Sequence, residues 1–122
     1  MKSERFSTSE KIKDVLAPVG KGVGGSVLHC DNGEIWVYPG EKHDAIIGGS
    51  GTGKTLCGSL PKTRALIEAG ENIVAVDPKA EMFNQTASYA NKTHKVYIVN
   101  FCDPSHSHRW NPLRLVRELH DS

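Results

Sequence analysis

Residues Gly48 to Thr55 read GGSGTGKT, a Gly-x4-Gly-Lys-Thr octapeptide set directly behind the apolar run Ala45-Ile46-Ile47 and ahead of a segment with helical character. Glycine at Gly48, Gly49, Gly51 and Gly53 permits positive φ and close backbone approach, so that successive N–H groups turn inward toward an anion. The helix expected to follow adds the partial positive charge of its N-terminus at the same point. With Ser50 and Thr52 completing the cradle, Lys54 is placed to reach the β and γ phosphates of a nucleotide. The Thr55 hydroxyl is placed to ligate the Mg²⁺ that bridges them. A flexible Gly-rich linker carrying a stray Lys-Thr is the bland alternative, and its position between a strand-type and a helix-type segment argues against it.

A chain of 122 residues is read as one domain with room for a core, small for a nucleotide-hydrolysing machine. Its formal net charge of +1 gives no electrostatic footprint for nucleic acid. No apolar run approaches the length of a bilayer crossing, and the polar residues after Met1 lack a signal-peptide core, so the chain reads as soluble and cytosolic in character. Cys30, Cys57 and Cys102 are odd in number and widely spaced, which suits reduced thiols. Cys102, His106 and His108 have a spacing that could hold a metal. A fourth ligand is missing, and Pro104 with its serines reads as a polar loop.

Residues 1–42 divide into a short helix and a β-hairpin. Ser7 and Glu10 form a capping box, and Ile12, Val15, Leu16 and Val19 recur at helical spacing until Pro18 limits the helix. Gly20 to Gly25 read as a flexible link. Ser26 to Cys30 and Glu34 to Tyr38 flank Asp31-Asn32-Gly33, the chemistry of a tight hairpin turn. Trp36 and Tyr38 share one face of that strand, where they either stack on a base or, the blander reading, pack on the main domain.

Residues 43–122 alternate strand and helix, the pattern of right-handed βαβ crossovers with a parallel sheet. The helix after the loop carries Leu60, Leu66 and Ile67 and closes at Gly70, with a kink or brief break expected at Pro61. Ile73 to Val76 is expected to be a strand buried on both faces, followed by a helix from Pro78 to about Ala90. Val96 to Val99 is a third buried strand, and Asn111-Pro112 opens a last helix ending near His120. Asp77 stands at a strand's C-terminal edge, where it either lines the ligand crevice of an open α/β sheet or caps the next helix; the two roles are compatible. Lys79 and Glu81 read as solvated.

The order of these landmarks resembles the TraG/TraD-like coupling proteins of type IV secretion and conjugative DNA transfer, relatives of the FtsK-type DNA-pumping ATPases. The residues that carry it are AIIGGSGTGKT at Ala45 to Thr55, Pro61, AVDPKAEMFNQTA at Ala75 to Ala87, the strand VYIVNF, and RWNPL at Arg109 to Leu113. The pattern departs at Ala80, where that family usually has Gly. Roughly residues 43 to 115 are covered. The resemblance implies a RecA/FtsK-like P-loop NTPase domain of a hexameric, membrane-anchored ATPase at the cytoplasmic face of the bacterial inner membrane. That machine takes a relaxase-bound single strand of DNA to the secretion channel, with ATP and Mg²⁺ as cofactors. Carried over, the nucleotide cradle is Gly48, Gly49, Ser50, Gly51, Thr52, Gly53, Lys54 and Thr55, with Asp77 near it.

Catalysis in such an enzyme is mostly positioning and charge stabilisation, and it needs an acidic pair on a later strand. No apolar run ending in Asp-Glu occurs in this sequence, so the chain is expected to be part of a longer ATPase, its parallel sheet truncated, with little turnover by itself. No catalytic residue is assigned; Lys54 is expected to supply charge to the phosphates and the transition state. Two other classes stay open. A small phosphotransferase would use Asp77 on a hydroxyl or magnesium, yet the arginines that build such a lid are scarce here: Arg5, Arg64, Arg109, Arg114 and Arg117. A non-catalytic assembly module would bind nucleotide without turnover.

Overall fold

A computed structural model describes residues 9–40 and 43–111, apart from the side chains of Ser9 and Glu10. The capping box at Ser7 and the last helix after Asn111 lie outside the described residues. Helix α1 spans Ser9–Lys13 and is shorter than the apolar spacing predicts. Its continuation is diverted because the residue before a proline is pushed out of the helical region. Ala17–Pro18 instead forms a two-residue strand, β1, paired with Val37 and Trp36. Pro18 has no N–H to give, and it sits on the edge strand of a sheet ordered β1-β3-β2, where that donor is dispensable.

Strands β2 (Ser26–Asp31) and β3 (Glu34–Tyr38) form the antiparallel hairpin expected from Asn32-Gly33, whose φ values of 51° and 84° are those of a primed turn. A bulge between Val27 and His29 leaves Leu28 without an opposing residue and turns it to solvent. Val37, at the centre of the sheet, is 0% exposed. Lys13 pairs with Asp31 at 2.7 Å, and its ammonium lies 5.1 Å from the centre of the Trp36 ring. Trp36 is half-buried, with Lys13 set against its ring.

The glycine-rich stretch before β2 is an interface, not a flexible link. Gly22 donates its N–H to the Ala69 carbonyl at 2.9 Å, and Gly24 is placed where a Cβ would come within 3.0 Å of Ala69 Cβ and Leu66 Cδ2. Omitting side chains there lets the hairpin seat against the C-terminal turn of the next long helix.

That helix starts at Lys54 and begins with a widened turn, Thr55–Ser59, in which the Leu60 N–H reaches back five residues to the Thr55 carbonyl. Helix α2, Leu60–Ala69, continues from it with Pro61 in its first turn. Proline cannot donate to the carbonyl four residues earlier and would clash with it; the widened turn relieves that clash and is the interruption expected at Pro61. The helix ends at Gly70 with φ 82°, where the Gly70 and Glu71 N–H groups close back on Ile67 and Leu66. Leu60, Ala65, Ile67 and Ala69 are buried, and buried Thr63 satisfies its hydroxyl on the Ser59 carbonyl at 2.8 Å.

Helix α3, Glu81–Ala90, packs on α2, and Thr86 and Ala90 are its buried residues. Ala80, just ahead of it, is held at φ 55°, ψ 20°. An L-residue with a Cβ is strained there, which gives the Gly-to-Ala departure at this position a physical meaning. Ala80→Gly is expected to stabilise the fold by about 1 kcal/mol, read as a rise in the urea midpoint at unchanged slope.

The three apolar runs expected as buried parallel strands are extended but carry no ladder among the described residues. Ile47 is 94% exposed, Val74 100% and Val76 89%. Burial of a β-run comes from its neighbours in the sheet, and a run with both edges unpaired has none. Part of the third run is taken up differently: Ile98 gives its N–H to His108 Nδ1 at 3.0 Å and accepts the His108 N–H at 2.8 Å. The sheet present among the described residues is the antiparallel one.

Candidate nucleotide-binding site

The octapeptide Gly48 to Thr55 forms a compact bend between the extended run 45–47 and the helix that starts at Lys54. Its glycines do two different jobs. Gly51 and Gly53 take φ values of 75° and 78°, the conformation that only glycine adopts without strain. Gly48 is needed for space instead: a Cβ there would fall 2.7 Å from the Thr52 hydroxyl and 3.3 Å from Lys54 Cγ.

Lys54 folds back over the bend. Its ammonium donates to the Gly48 carbonyl at 2.7 Å and to the Gly49 carbonyl, while the Thr52 hydroxyl donates to Gly49 O at 2.9 Å. The loop is thereby wound around a cation at the mouth of a helix N-terminus, where an anion is favoured. Cys57 N–H closes the first helical turn on Gly53 O at 2.8 Å. Thr55 opens the widened turn, half-buried, one residue beyond the lysine; Ser50 stands exposed at the tip. Gly48, Gly49, Thr52 and Lys54 are therefore joined in one hydrogen-bonded unit, with Gly53 and Thr55 beside it in the chain.

Asp77 is engaged elsewhere. One carboxylate oxygen accepts the Glu81 N–H at 3.1 Å and the other the Phe83 N–H at 2.9 Å, so it ties down the first turn of α3. The helix-capping role read from the sequence is the one these bonds describe. The spaced Cys102, His106 and His108 are drawn into separate contacts: His106 pairs with Asp103 at 2.7 Å, His108 bonds Ile98, and the Cys102 N–H bonds the Asn100 amide oxygen. Among the described residues no group of three or more His, Cys, Asp or Glu is arranged to hold a metal.

Sequence reasoning missed two residues beside the loop. Gly58 lies where a Cβ would meet Ile46 Cδ1 at 2.5 Å, so the widened turn packs directly on the run that leads into the loop. Asp44, at the start of that run, accepts hydrogen bonds from Lys62 on α2 and Ser26 on β2. An open groove of about 390 Å³ begins here, lined by Asp44, Ile46, Lys62, Leu66, Ile73 and Met82 among others. Partners 18 residues away on either side leave no local signal in the sequence.

A model of the type IV secretory system conjugative DNA transfer family matches residues 1–122. The chain belongs to that family. No curated protein and no solved structure matches it significantly. Membership places this conjugative DNA transfer protein in type IV secretion and agrees with the resemblance to TraG/TraD-like coupling proteins carried by the loop, Asp77 and the Asn-Pro-Leu sequence. No helix among the described residues is long and apolar enough to cross a membrane.

Three surface carboxylates give this family member an acid-side sensitivity. Hydrogen bonds from Lys13 hold Asp31 below the usual carboxylate range; those from Lys62 and then Ser26 do so for Asp44, and those from Ser105 and then His106 for Asp103. A depressed folded-state value means that the stability is fully present above the ordinary carboxylate value and is lost as pH falls through the folded one. Thermal melts are expected to stay level from neutral pH down to about pH 4 and then to fall, less steeply in high salt because the pairs are exposed.

Proposed function

We propose that this chain is the ATP-binding portion of a conjugative-transfer coupling ATPase, with residues 43–122 part of an α/β RecA/FtsK-like P-loop domain and residues 1–42 its N-terminal extension. The observation that carries the reading is the lysine-centred loop: a glycine bend with its ammonium at the N-terminus of a helix, in which even the non-strained Gly48 has no room for a side chain. Such a loop suits a triphosphate, whose oxygens take the N–H groups while Lys54 exchanges its carbonyl partners for phosphate. Bound Mg²⁺ supplies charge neutralisation between the outer phosphates. Thr55 is the residue of this chain that would hold it.

The rest of the machine is part of the same proposal: partner copies in a hexamer, a relaxase-bound single strand and the secretion channel at the cytoplasmic face of the inner membrane. Family membership supports that setting.

Turnover is a separate matter, because a cradle alone does not orient the attacking water. Asp77, the acid nearest in sequence after the loop on a strand-type run, is held by backbone N–H groups of α3, one on each carboxylate oxygen, and no apolar run ending in Asp-Glu supplies an acidic pair. That arrangement favours binding without hydrolysis in this stretch of chain. Calorimetric titration with Mg-ATP is expected to show one site, and a steady-state phosphate-release assay to show no turnover above that of Lys54→Ala. Absence of Mg-ATP binding overturns the nucleotide reading; Lys54-dependent turnover overturns the non-hydrolysing one.

A further inference from the structure

We propose that Asp44 is a positioning residue for the phosphate loop, clamping the two ends of the loop together through Lys62 and anchoring both to the hairpin through Ser26. The inference rests on the nucleotide-binding reading and deepens it.

The loop is a bridge between two supports, the extended run that begins at Ala45 and the helix that begins at Lys54. Its shape depends on how those supports are held. Among the described residues, two contacts join them from outside the loop. One is Ile46 against Gly58, where a glycine lets the helix close onto the run. The other is Asp44, whose Oδ1 accepts from the Lys62 ammonium while Oδ2 accepts from the Ser26 hydroxyl. Each oxygen thus serves a different element: one the helix that opens at Lys54, the other strand β2. Lys62 lies two helical turns beyond Lys54 and Asp44 four residues before Gly48, so the pair spans the base of the loop as a rung.

The Lys62 and Asp44 side chains are 30% and 36% exposed, which limits what the pair adds to global stability and leaves its geometric role as the larger one. The run it steadies has no ladder among the described residues, so no sheet hydrogen bonds duplicate its work there. Loosening this rung lets the run swing and spreads the loop over conformations that hold phosphate less well, an entropic loss felt only on binding.

The test compares the wild-type chain with Asp44→Asn, Lys62→Met and the charge-swapped pair Asp44→Lys with Lys62→Asp, titrating each with Mg-ATP and measuring backbone ¹⁵N order parameters without nucleotide. Each single variant is expected to bind Mg-ATP about three- to fivefold more weakly, and the swapped pair to recover to within about twofold of wild type. Order parameters for the residues 48–55 should drop from about 0.85, the rigid range, toward about 0.6 in the single variants, while the β2–β3 hairpin and the C-terminal half of α2 keep theirs. Single variants that bind within about twofold of wild type, or lose order equally in loop and hairpin, overturn the proposal. If wild type binds no Mg-ATP, the nucleotide reading fails by itself. The loop order parameters then decide the clamp: a loop-specific loss in the single variants supports it, and unchanged values overturn it.

Discussion

Lys54→Ala is expected to weaken Mg-ATP binding by about 30- to 150-fold, which corresponds to about 2–3 kcal/mol for removing a charge-assisted hydrogen bond from an anion site. Two separate consequences of the substitution add up. The phosphate is deprived of its cation, and the loop is deprived of the ammonium that now bonds the Gly48 and Gly49 carbonyls. The Gly48 carbonyl then loses its lysine donor, and the Gly49 carbonyl keeps only the Thr52 hydroxyl. Lys54→Arg should not rescue, because a planar fork cannot reproduce a compact ammonium in that bend. Titration calorimetry on the three chains reads the effect directly, and equal affinity for wild type and Lys54→Ala removes the lysine from the site.

The second large effect is expected outside the loop. Gly25 has φ 151°, and a Cβ there would stand 2.3 Å from the Tyr38 carbonyl oxygen and 3.3 Å from its carbon. The obstacle is backbone, on the strand that Ser26 must pair with at Tyr38, so no rotamer change relieves it. Gly25→Ala is therefore expected to destabilise the fold by about 3 kcal/mol, as strain at a glycine-only backbone position combined with a displaced strand. In a protein whose total margin is of order 5–15 kcal/mol, a substitution of that size shows as a large drop in the denaturant midpoint. Gly24→Ala should cost less, because its neighbours are side-chain atoms of Leu66 and Glu71 along with Ala69 Cβ, and the first two can shift. A Gly25→Ala chain that melts with wild type would show that the hairpin register tolerates the intrusion.

Glycines with such different duties look alike in the sequence. The chain's own order of residues was enough for the Asn32-Gly33 turn, the Gly70 cap, the interruption at Pro61 and the wound loop at Gly48 to Thr55, since each is settled by a few neighbouring residues and their allowed φ/ψ. It was also enough for membership of the conjugative DNA transfer family, which rests on residue identity. The early end of α1 was less legible: helical spacing from Ile12 to Val19 competes with pairing of Ala17 and Pro18 to a strand that lies almost twenty residues ahead.

What only the tertiary structure decided depends on groups distant along the chain. Gly24 and Gly25 read as a link because nothing local says that α2 and Tyr38 will close on them. Asp44 reads as an ordinary polar residue until Ser26 and Lys62 arrive from either side. The exposure of Val74 and Val76 has the same origin, because periodicity states that a run is suited to a sheet and supplies no partner strand. Local chemistry thus fixed the turns, the caps and the glycine bend at Gly48 to Thr55, whose energetics are complete within a few residues; long-range packing fixed which glycines have no room for a side chain, which carboxylate bridges α2 and β2, and which apolar runs are covered.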